Sequence, residues 1–543
     1  MEGDPPVRPP TFAVRGRAGG RTRSGTRPRP LARSAWRPVP APGPETEAVT
    51  TVRFPVLLGA ELRLILRERL TWAILAALLV ALCLAAWTGA GRVAAEQAAL
   101  AQAAAYTGRV VREAKAAHEQ YGKPSSIKVN YWQDPTDAFG YMTYFMAAYA
   151  VKPPTPLTVL AAGQSDVQPA IMQASFGFST VFDDTAYEPG STARLRLGPF
   201  DLAFVLIYLV PLAVIALAGT RLSSEHDSGI LRMIASQPVG PRRVASAKFG
   251  AVGLVAIAAV LGGTVLALLV SGGLGPLAGW EVTLTLLAAA LATYVALWVA
   301  ACALVASLWR GGVITLAILV TTWAIVAVAL PTALGVAVEV LAPTPSRIAA
   351  IDASRQAQVR FYTGDEGARI TSAWLTGKVP EAVRRPGLAD APEIKRLARD
   401  AFYDEALVTY RDAARDHAQA SASWSQRLAF LSPATVLALS LEMAAGTDAG
   451  RHSAFLAAGA AYRRDLRAFF EPRIIAQALN AVPVCEGCPA RLNFAAYDAV
   501  PAFEASVPRT SAESQALVAL GCLLAGTLLL TALAYRRLTE WPS

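Results

Sequence analysis

Long apolar runs divide this chain and limit what it can fold into. The run at 70–90 carries no charge and is long enough to cross the hydrocarbon core of a bilayer as an α-helix. Of the 543 residues 54% are hydrophobic and only 17% are charged, which excludes an ordinary soluble protein. The pattern therefore predicts an all-α polytopic membrane protein with six transmembrane helices. They are expected at 70–90, 201–219, 249–270, 284–308, 313–334 and 515–535.

The basic residues at the ends of these runs predict their orientation. Arg67 and Arg69 precede the first run, Arg310 lies between the fourth and fifth, and Arg536 and Arg537 follow the last. Positively charged residues accumulate on the cytoplasmic side of membrane proteins. If the six helices alternate, all of these residues fall on one side. Both termini are therefore predicted to be cytoplasmic.

Two polar regions, 91–200 and 342–512, are then exported, and their periodicity predicts that both are largely helical. The Ala-rich stretch 94–121 begins the first of them as a helix. A group of aromatic residues has three interpretations, a groove for a substrate, the core of a small domain or a belt at the membrane interface. They are Tyr131, Trp132, Phe139, Tyr141, Tyr144 and Phe145.

The net charge of +10 does not indicate a nucleic-acid partner, because no basic stripe is interleaved with aromatic residues. Much of the charge lies in an Arg- and Pro-rich tail, 1–48, whose composition predicts disorder. The alternative is that translation starts near Val49 or Val52 and the tail is not made. The segment 49–69 is predicted to form an amphipathic helix in the membrane interface, and 536–543 a cytoplasmic tail.

The segment 220–248 is a charged loop between two apolar runs, with five basic and two acidic residues. Glu225 stands where an acidic side chain stabilises the amino end of a short helix, and Pro238 ends that helix. From the residues alone, two interpretations are open. The charges serve only to set the topology, or the helix docks on a partner.

Motifs for enzyme chemistry are missing from the sequence. It contains no G-x-x-x-x-G-K-[ST], no H-E-x-x-H and no G-x-S-x-G. The apolar runs hold no charged residue beyond their edges, whereas an ion-coupled transporter usually buries at least one. We therefore predict that the chain is not an enzyme, has no catalytic residue and no metal or cofactor of its own, and takes energy for any uphill movement from a partner.

The charged loop and the run before it resemble the membrane subunit of ABC-2 type transporters. In that family a Glu, a Gly a few residues later, a Leu and a Pro-terminated turn mark the loop that docks on the ATPase, and basic residues follow. The residues that carry this resemblance here are Glu225, Gly229, Leu231, Pro238 and Arg243.

The resemblance continues along 53–537 and looks closest to a bacterial subfamily with two large exported regions of unknown function. The segment 153–169, PPTPLTVLAAGQSDVQP, is similar to the first exported region of that subfamily. The segment 431–472, beginning LSPATVLALSLEMAAGTDAG, is similar to the second.

The resemblance implies a permease subunit in the bacterial inner membrane that couples ATP hydrolysis to export. Two cytoplasmic ABC ATPase subunits would bind ATP and Mg, and a second permease copy or a sister permease would complete the path through the bilayer. The five loop residues would then be ATPase-coupling residues. The alternative is a non-transporting module, which the ATPase drives to act mechanically on an envelope partner through the exported regions.

Two small motifs lie in the exported regions. Cys485 and Cys488 form a lone C-x-x-C, for which a local disulfide is the first interpretation and a redox or metal role the second. A polar turn is either a ligand loop or a turn that bonds to its own backbone. That turn consists of Gly163, Gln164, Ser165 and Asp166.

Overall fold

The computed structural model describes most of the chain beyond the Arg-rich tail. The described residues are 53–121, 134–163, 165, 168–174, 199–221, 223, 225, 228, 230, 233, 240–308, 311–380, 387–479, 482–483, 490–491, 494–504 and 510–538. Their helices are α1 (Phe54–Arg67), α2 (Arg69–Tyr121), α3 (Leu202–Ala218), α4 (Pro241–Ser271), α5 (Glu281–Leu308), α6 (Gly312–Leu341), α7 (Arg347–Tyr362), α8 (Glu366–Lys378), α9 (Pro392–Ala406), α10 (Val408–Ala429), α11 (Pro433–Ala445), α12 (Ala449–Leu479) and α13 (Thr510–Arg537).

The fold is almost entirely helical, which confirms the predicted fold class. In the described part of the chain, five helices are long and apolar enough to cross a membrane, namely α2, α4, α5, α6 and α13. The run predicted at 201–219 forms α3, an apolar helix that is shorter than these five. The number of spans and their orientation therefore stay predictions.

A single long helix joins the membrane bundle to a second part of the structure, which contains α7–α10 and α12 and which we call the polar domain. α2 runs without a break from Arg69 to Tyr121, 53 residues in all, or about 80 Å at 1.5 Å per residue. Its first part packs against α4 and α3. Near its other end, Ala114 lies in the core of the polar domain, and Val110 is buried one turn earlier. The predicted run 70–90 and the Ala-rich stretch after it are thus one helix.

Prolines widen two of the bundle helices. α3 contains a π-helical turn at Val205–Leu209 just before Pro211, and α6 contains one at Ala324–Ala329 just before Pro331. Proline cannot donate a backbone hydrogen bond and clashes with the carbonyl four residues earlier, so the preceding turn opens.

Side chains from α5 and from the residue that caps α11 bond to the carbonyls in these opened turns. Tyr294 Oη donates to the carbonyl of Ile207, four residues before Pro211, at 2.9 Å. Ser432 Oγ donates to the carbonyl of Val326, five residues before Pro331, at 2.9 Å. Because proline has no N–H, a carbonyl in the preceding turn lacks its usual backbone donor, and each of these side chains supplies one. Each contact also holds two segments of the bundle together.

α11 belongs to the bundle although it lies in the region 342–512, which is predicted to be aqueous. Its buried residues include Leu437 and Leu441, which join the main apolar core together with residues of α5, α3 and α13. At 13 residues it is about 20 Å long, too short to cross the hydrocarbon core. The polar character of the region therefore does not extend to this helix.

The polar domain is built on α12 and closed by α7–α10. One face of α12 carries Phe455, Tyr462, Leu466, Phe470 and Ile474, all buried in one aromatic-rich core. The aromatic stretch 139–145 contributes to the same core, where the Phe139 and Tyr141 side chains are buried. For these two residues the interpretation as a domain core is therefore correct.

Two antiparallel pairs of very short strands complete the described structure. β1 (Tyr149–Val151) pairs with β2 (Ile171–Gln173), with Ala150 opposite Met172. β3 (Val482–Pro483) pairs with β4 (Ala490–Arg491).

Candidate coupling site

One end of the bundle gathers α1, the end of α3, the charged loop and the start of α4. α1 begins with Pro55 in its first turn and ends at Arg67, and the extended backbone of the next residue, Glu68 (φ −76°, ψ 124°), separates α1 from α2. The apolar side of α1 packs along α4 and buries Ile65. Within the segment 49–69 the structure therefore shows a helix at Phe54–Arg67 that lies against the bundle, residues 49–52 lie outside the described residues, and its place in the membrane interface stays a prediction.

A buried lysine joins three of these segments. Lys248 Nζ on α4 lies 2.7 Å from Glu61 Oε1 on α1 and 2.6 Å from Glu225 Oε1 in the charged loop. The lysine side chain is only 7% exposed, and the two glutamates are 15% and 22% exposed. Two carboxylates on one desolvated ammonium form a charge-assisted network, so each segment is held through the same atom. We call Glu61, Lys248 and Glu225 the lysine cluster.

A second ion pair lies beside the first. Arg221 holds both oxygens of Glu68, with Nη2 2.6 Å from Oε2 and Nη1 3.2 Å from Oε1. Its Nε donates to the carbonyl of Leu217 at 2.7 Å and so binds a free carbonyl at the end of α3. Thr71 Oγ1 donates to Glu68 Oε2 at 3.2 Å. The break between α1 and α2 is therefore fastened to the carboxyl end of α3.

Two further cations mark the start of α4. The guanidinium of Arg242 lies 4.4 Å from the ring centroid of Tyr535 on α13, a cation–π contact that reaches the last helix. The side chain of Arg243 is exposed.

In the part of the chain that is described, Glu225 Oε2 is buried without a hydrogen-bond partner. These groups can bind and position segments, and they do not form a constellation for bond-breaking chemistry.

The structure brings some of the predicted coupling residues together and leaves others undescribed. Glu225 lies in the lysine cluster, and Arg243 is one and a half turns before Lys248 on α4. Gly229, Leu231 and Pro238 lie outside the described residues. The assignment of the five residues to ATPase coupling stays a prediction.

Sequence reasoning missed Glu61 and the pairing of Glu68 with Arg221. Glu61 is 187 residues from Lys248 in the sequence, and the pattern of α1 by itself predicts only an interfacial helix. The available signal was the position of Lys248 in a helix that is otherwise apolar from Phe249 onward, because a charge there needs a partner.

The predicted ligand loop lies at a junction between the two segments that resemble the exported regions. Gly163 has a left-handed φ of +49°, and a Cβ there would come within 2.5 Å of Thr447 Oγ1. Ser165 N donates to the carbonyl of Ala162 at 2.9 Å, closing a turn on its own backbone. Gln164 and Asp166 lie outside the described residues, so binding of a ligand stays a prediction.

The same two segments are joined by buried hydroxyl groups. Thr155 Oγ1 donates to the carbonyl of Ala445 at 2.9 Å, and Thr158 Oγ1 donates to it at 2.8 Å. Arg451 Nη2 donates to the carbonyl of Pro153 at 2.5 Å. Segments that are far apart in sequence therefore form one interface at the end of α11.

The remaining predicted site residues are the two cysteines of the C-x-x-C motif. Cys485 and Cys488 lie outside the described residues, and the cysteines that are described, Cys83, Cys302 and Cys522, are free. In the described ranges, no three His, Cys, Asp or Glu side chains are grouped as metal ligands would be.

Titratable groups of the polar domain are strongly affected by burial. Burial raises the pKa of Asp137 to about 6, although hydrogen bonds from Gly140 and Gln477 partly offset the effect. Burial also lowers the pKa of His452 to about 4, and the charge of Lys152 acts in the same direction. Asp137 Oδ1 accepts from the Gly140 N–H at 2.7 Å and caps a short helical turn, Ala138–Gly140, so it has a structural role.

The bundle of long apolar helices defines a multi-pass membrane protein, with a cluster of ion pairs at one end where α1, the charged loop and α4 meet. Over residues 56–540 the chain matches the family described as ABC-2 family transporter protein. The chain therefore belongs to this family, and it is a permease component of an ABC transporter. Comparisons with curated proteins and with solved structures gave no match.

Proposed function

We propose that the chain is the membrane-spanning permease subunit of an exporter in the bacterial inner membrane, with both termini cytoplasmic. ABC-2 permeases generally work with cytoplasmic ATPase partners. ATP and Mg would be bound by two such subunits, and the permease would act as a dimer with a second copy or a sister permease. The sequence resemblance supports placing it in the subfamily with two large exported regions.

The lysine cluster is the observation that carries the proposal. The loop that resembles the ATPase-docking loop is not a free connection, because Glu225 binds Lys248, and Lys248 also binds Glu61 on α1. A displacement of the loop by a docked ATPase would therefore move α1 and α4 together. Glu225, Gly229, Leu231, Pro238 and Arg243 are the proposed coupling residues.

The test is ATPase stimulation in a reconstituted complex. The full chain is purified with the ABC ATPase that co-purifies with it, and ATP hydrolysis is measured with and without the permease. Glu225→Gln is expected to lower the stimulated rate about fivefold or more, while membrane insertion is unchanged. Glu113→Gln is the matched control, since Glu113 is an exposed carboxylate on α2. Unchanged stimulation and co-purification with Glu225→Gln would defeat the coupling assignment.

A second function is favoured by the length of α2. One continuous helix runs from Arg69, next to the Glu68–Arg221 ion pair, to Tyr121 in the polar domain. Such a helix can transmit force without a transport path, as expected of a module that acts mechanically on an envelope partner. Flux of a labelled candidate substrate into vesicles separates the two functions. ATP-dependent flux supports the exporter, whereas ATP hydrolysis without flux of any candidate supports the mechanical module.

A further inference from the structure

A groove in the polar domain lies between α10 and α12, with the strands β1 and β2 at its base. Its volume is about 280 Å³, close to the lower end of the range of small-molecule sites. The walls are lined by small side chains from both helices, including Ala414 and Ala418 on α10 and Ala457 and Ala460 on α12. Because these residues have so little volume, the two helices leave open space between them.

The charged residues that line the groove, among those described, are all basic. Arg411 and Arg415 on α10 and Arg463 on α12 line it, and no carboxylate does so among the described residues. The nearby Asp404 is shared, since it pairs with Arg411 at 3.1 Å and with Arg467 as well. Arg415 has only a 3.5 Å contact with Asp412, and both of those side chains are more than half exposed. An exposed pair of this kind contributes little to stability, so an anionic ligand can compete with Asp412 for the Arg415 guanidinium.

One of these guanidinium groups has spare hydrogen-bonding capacity. In the described part of the chain, Arg411 Nε is buried and has no hydrogen-bond partner, although its Nη2 is bonded to Asp404. A buried N–H without an acceptor is costly, so this guanidinium is not fully satisfied by protein groups; its side chain is 29% exposed and lines the groove. Arg415 is within the same lining and one turn further along α10.

The rest of the lining is neutral. Met172 on β2 and Leu456 on α12 supply apolar surface, and Gln173, Gln419 and Ser453 supply uncharged polar groups. A small inorganic anion would leave this apolar surface without a contact. The lining therefore suits a ligand that has an anionic head and a short apolar part.

We propose that this groove binds an anionic amphiphile through Arg411 and Arg415, with its apolar part along Met172 and Leu456. Phosphate is the head group that we expect, because guanidinium groups bind phosphate oxygens through paired hydrogen bonds. The head group comes from a membrane lipid or from a soluble phosphate ester, and both offer the same chemistry. This site is separate from the coupling site and does not depend on the direction of transport.

The test is binding of hexyl phosphate to the full chain in phosphatidylcholine nanodiscs, measured by isothermal titration calorimetry. Arg415→Gln is expected to weaken binding about 10- to 100-fold, since it removes a charged hydrogen-bond donor. Ala460→Leu is expected to weaken it comparably by filling the groove while leaving every charge in place. Arg464→Gln is the matched control, because Arg464 is the exposed residue after Arg463 and does not line the groove.

Three results would overturn the proposal: no binding to the wild-type chain, equal weakening by Arg464→Gln, or full affinity in both groove variants. Thermal unfolding of each variant shows that a loss of binding is not a loss of fold. Inorganic phosphate is the second probe, and equal affinity for it would refute the apolar part of the site. Nanodiscs that contain phosphatidylglycerol separate the sources. A lower apparent affinity for hexyl phosphate there identifies a lipid head group as the ligand, and an unchanged affinity identifies a soluble ester.

Discussion

Replacing Lys248 by methionine is the sharpest test of the lysine cluster. The change removes one positive charge from a side chain that is 7% exposed and keeps most of its apolar length. It leaves Glu61 and Glu225 facing each other without a cation. Both carboxylates lie within 2.7 Å of the same nitrogen, so their charges are close enough to repel each other strongly.

The size of the effect follows from the burial. Removing one partner of a buried ion pair costs about 3–5 kcal/mol, because the remaining charge is left desolvated and unpaired. Lys248→Met is expected in that range. Glu61→Gln leaves the lysine with one carboxylate and an amide oxygen, so the expected cost is only about 1–2 kcal/mol. The variant with Lys248→Met, Glu61→Gln and Glu225→Gln contains no unpaired charge and should recover most of the stability.

The assay is chemical unfolding in a mild detergent, followed by tryptophan fluorescence. Arg243→Met is the matched control, because Arg243 is an exposed cation on the same helix and its loss should change the free energy of unfolding by no more than about 0.5 kcal/mol. The reasoning is refuted if Lys248→Met unfolds like the control. It is refuted equally if the triple variant is no more stable than Lys248→Met.

Three further predictions concern other parts of the chain. Tyr294→Phe removes the donor to the carbonyl of Ile207 and should lower the free energy of unfolding by about 1–2 kcal/mol, measured in the same assay. Because the pKa of Asp137 is raised to about 6, its contribution to stability is complete below pH 3.8 and is lost as the pH rises through 6. Asp137→Asn should therefore reduce the change in the free energy of unfolding between pH 4 and pH 7 by on the order of 3 kcal/mol. The same pH dependence in the wild-type chain and the variant would contradict this. Mass spectrometry without reductant should find Cys485 joined to Cys488, and free thiols in the native protein would exclude the disulfide.

Hydropathy predicts the positions of the bundle helices well but not where one helix becomes polar. The run 249–270 lies within α4, which starts at Pro241, and the run 284–308 within α5. By contrast, the boundary expected after residue 90 falls in the middle of α2. No proline lies between 70 and 121, and the Ala-rich stretch has high helix propensity, so the backbone continues where the hydropathy changes.

The contacts of the coupling site could be predicted only in part. The charged loop is conspicuous because it separates two apolar runs; Glu225 lies within it and Lys248 at its end. Their partner Glu61 could not be found in this way, because pairing between distant segments depends on how α1 packs along α4. The same limit applies to Tyr294, since the opened turn before Pro211 is predictable from local sequence and its donor from another helix is not.

α2 and α3 are linked at two levels of the bundle, and these links bear on how a movement of the charged loop would spread. At one end, the Glu68–Arg221 ion pair joins the start of α2 to the end of α3. At the start of α3 the link runs through residues 161–162. Arg92 Nη2, near the middle of α2, donates to the carbonyl of Ala161 at 3.1 Å, and Asp201 Oδ2 accepts from the N–H of Ala162 at 2.6 Å. Neither helix can slide along the other without breaking one of these contacts. We therefore expect a displacement at the loop to move both helices together with residues 161–162, of which Ala161 packs in the main apolar core of the bundle.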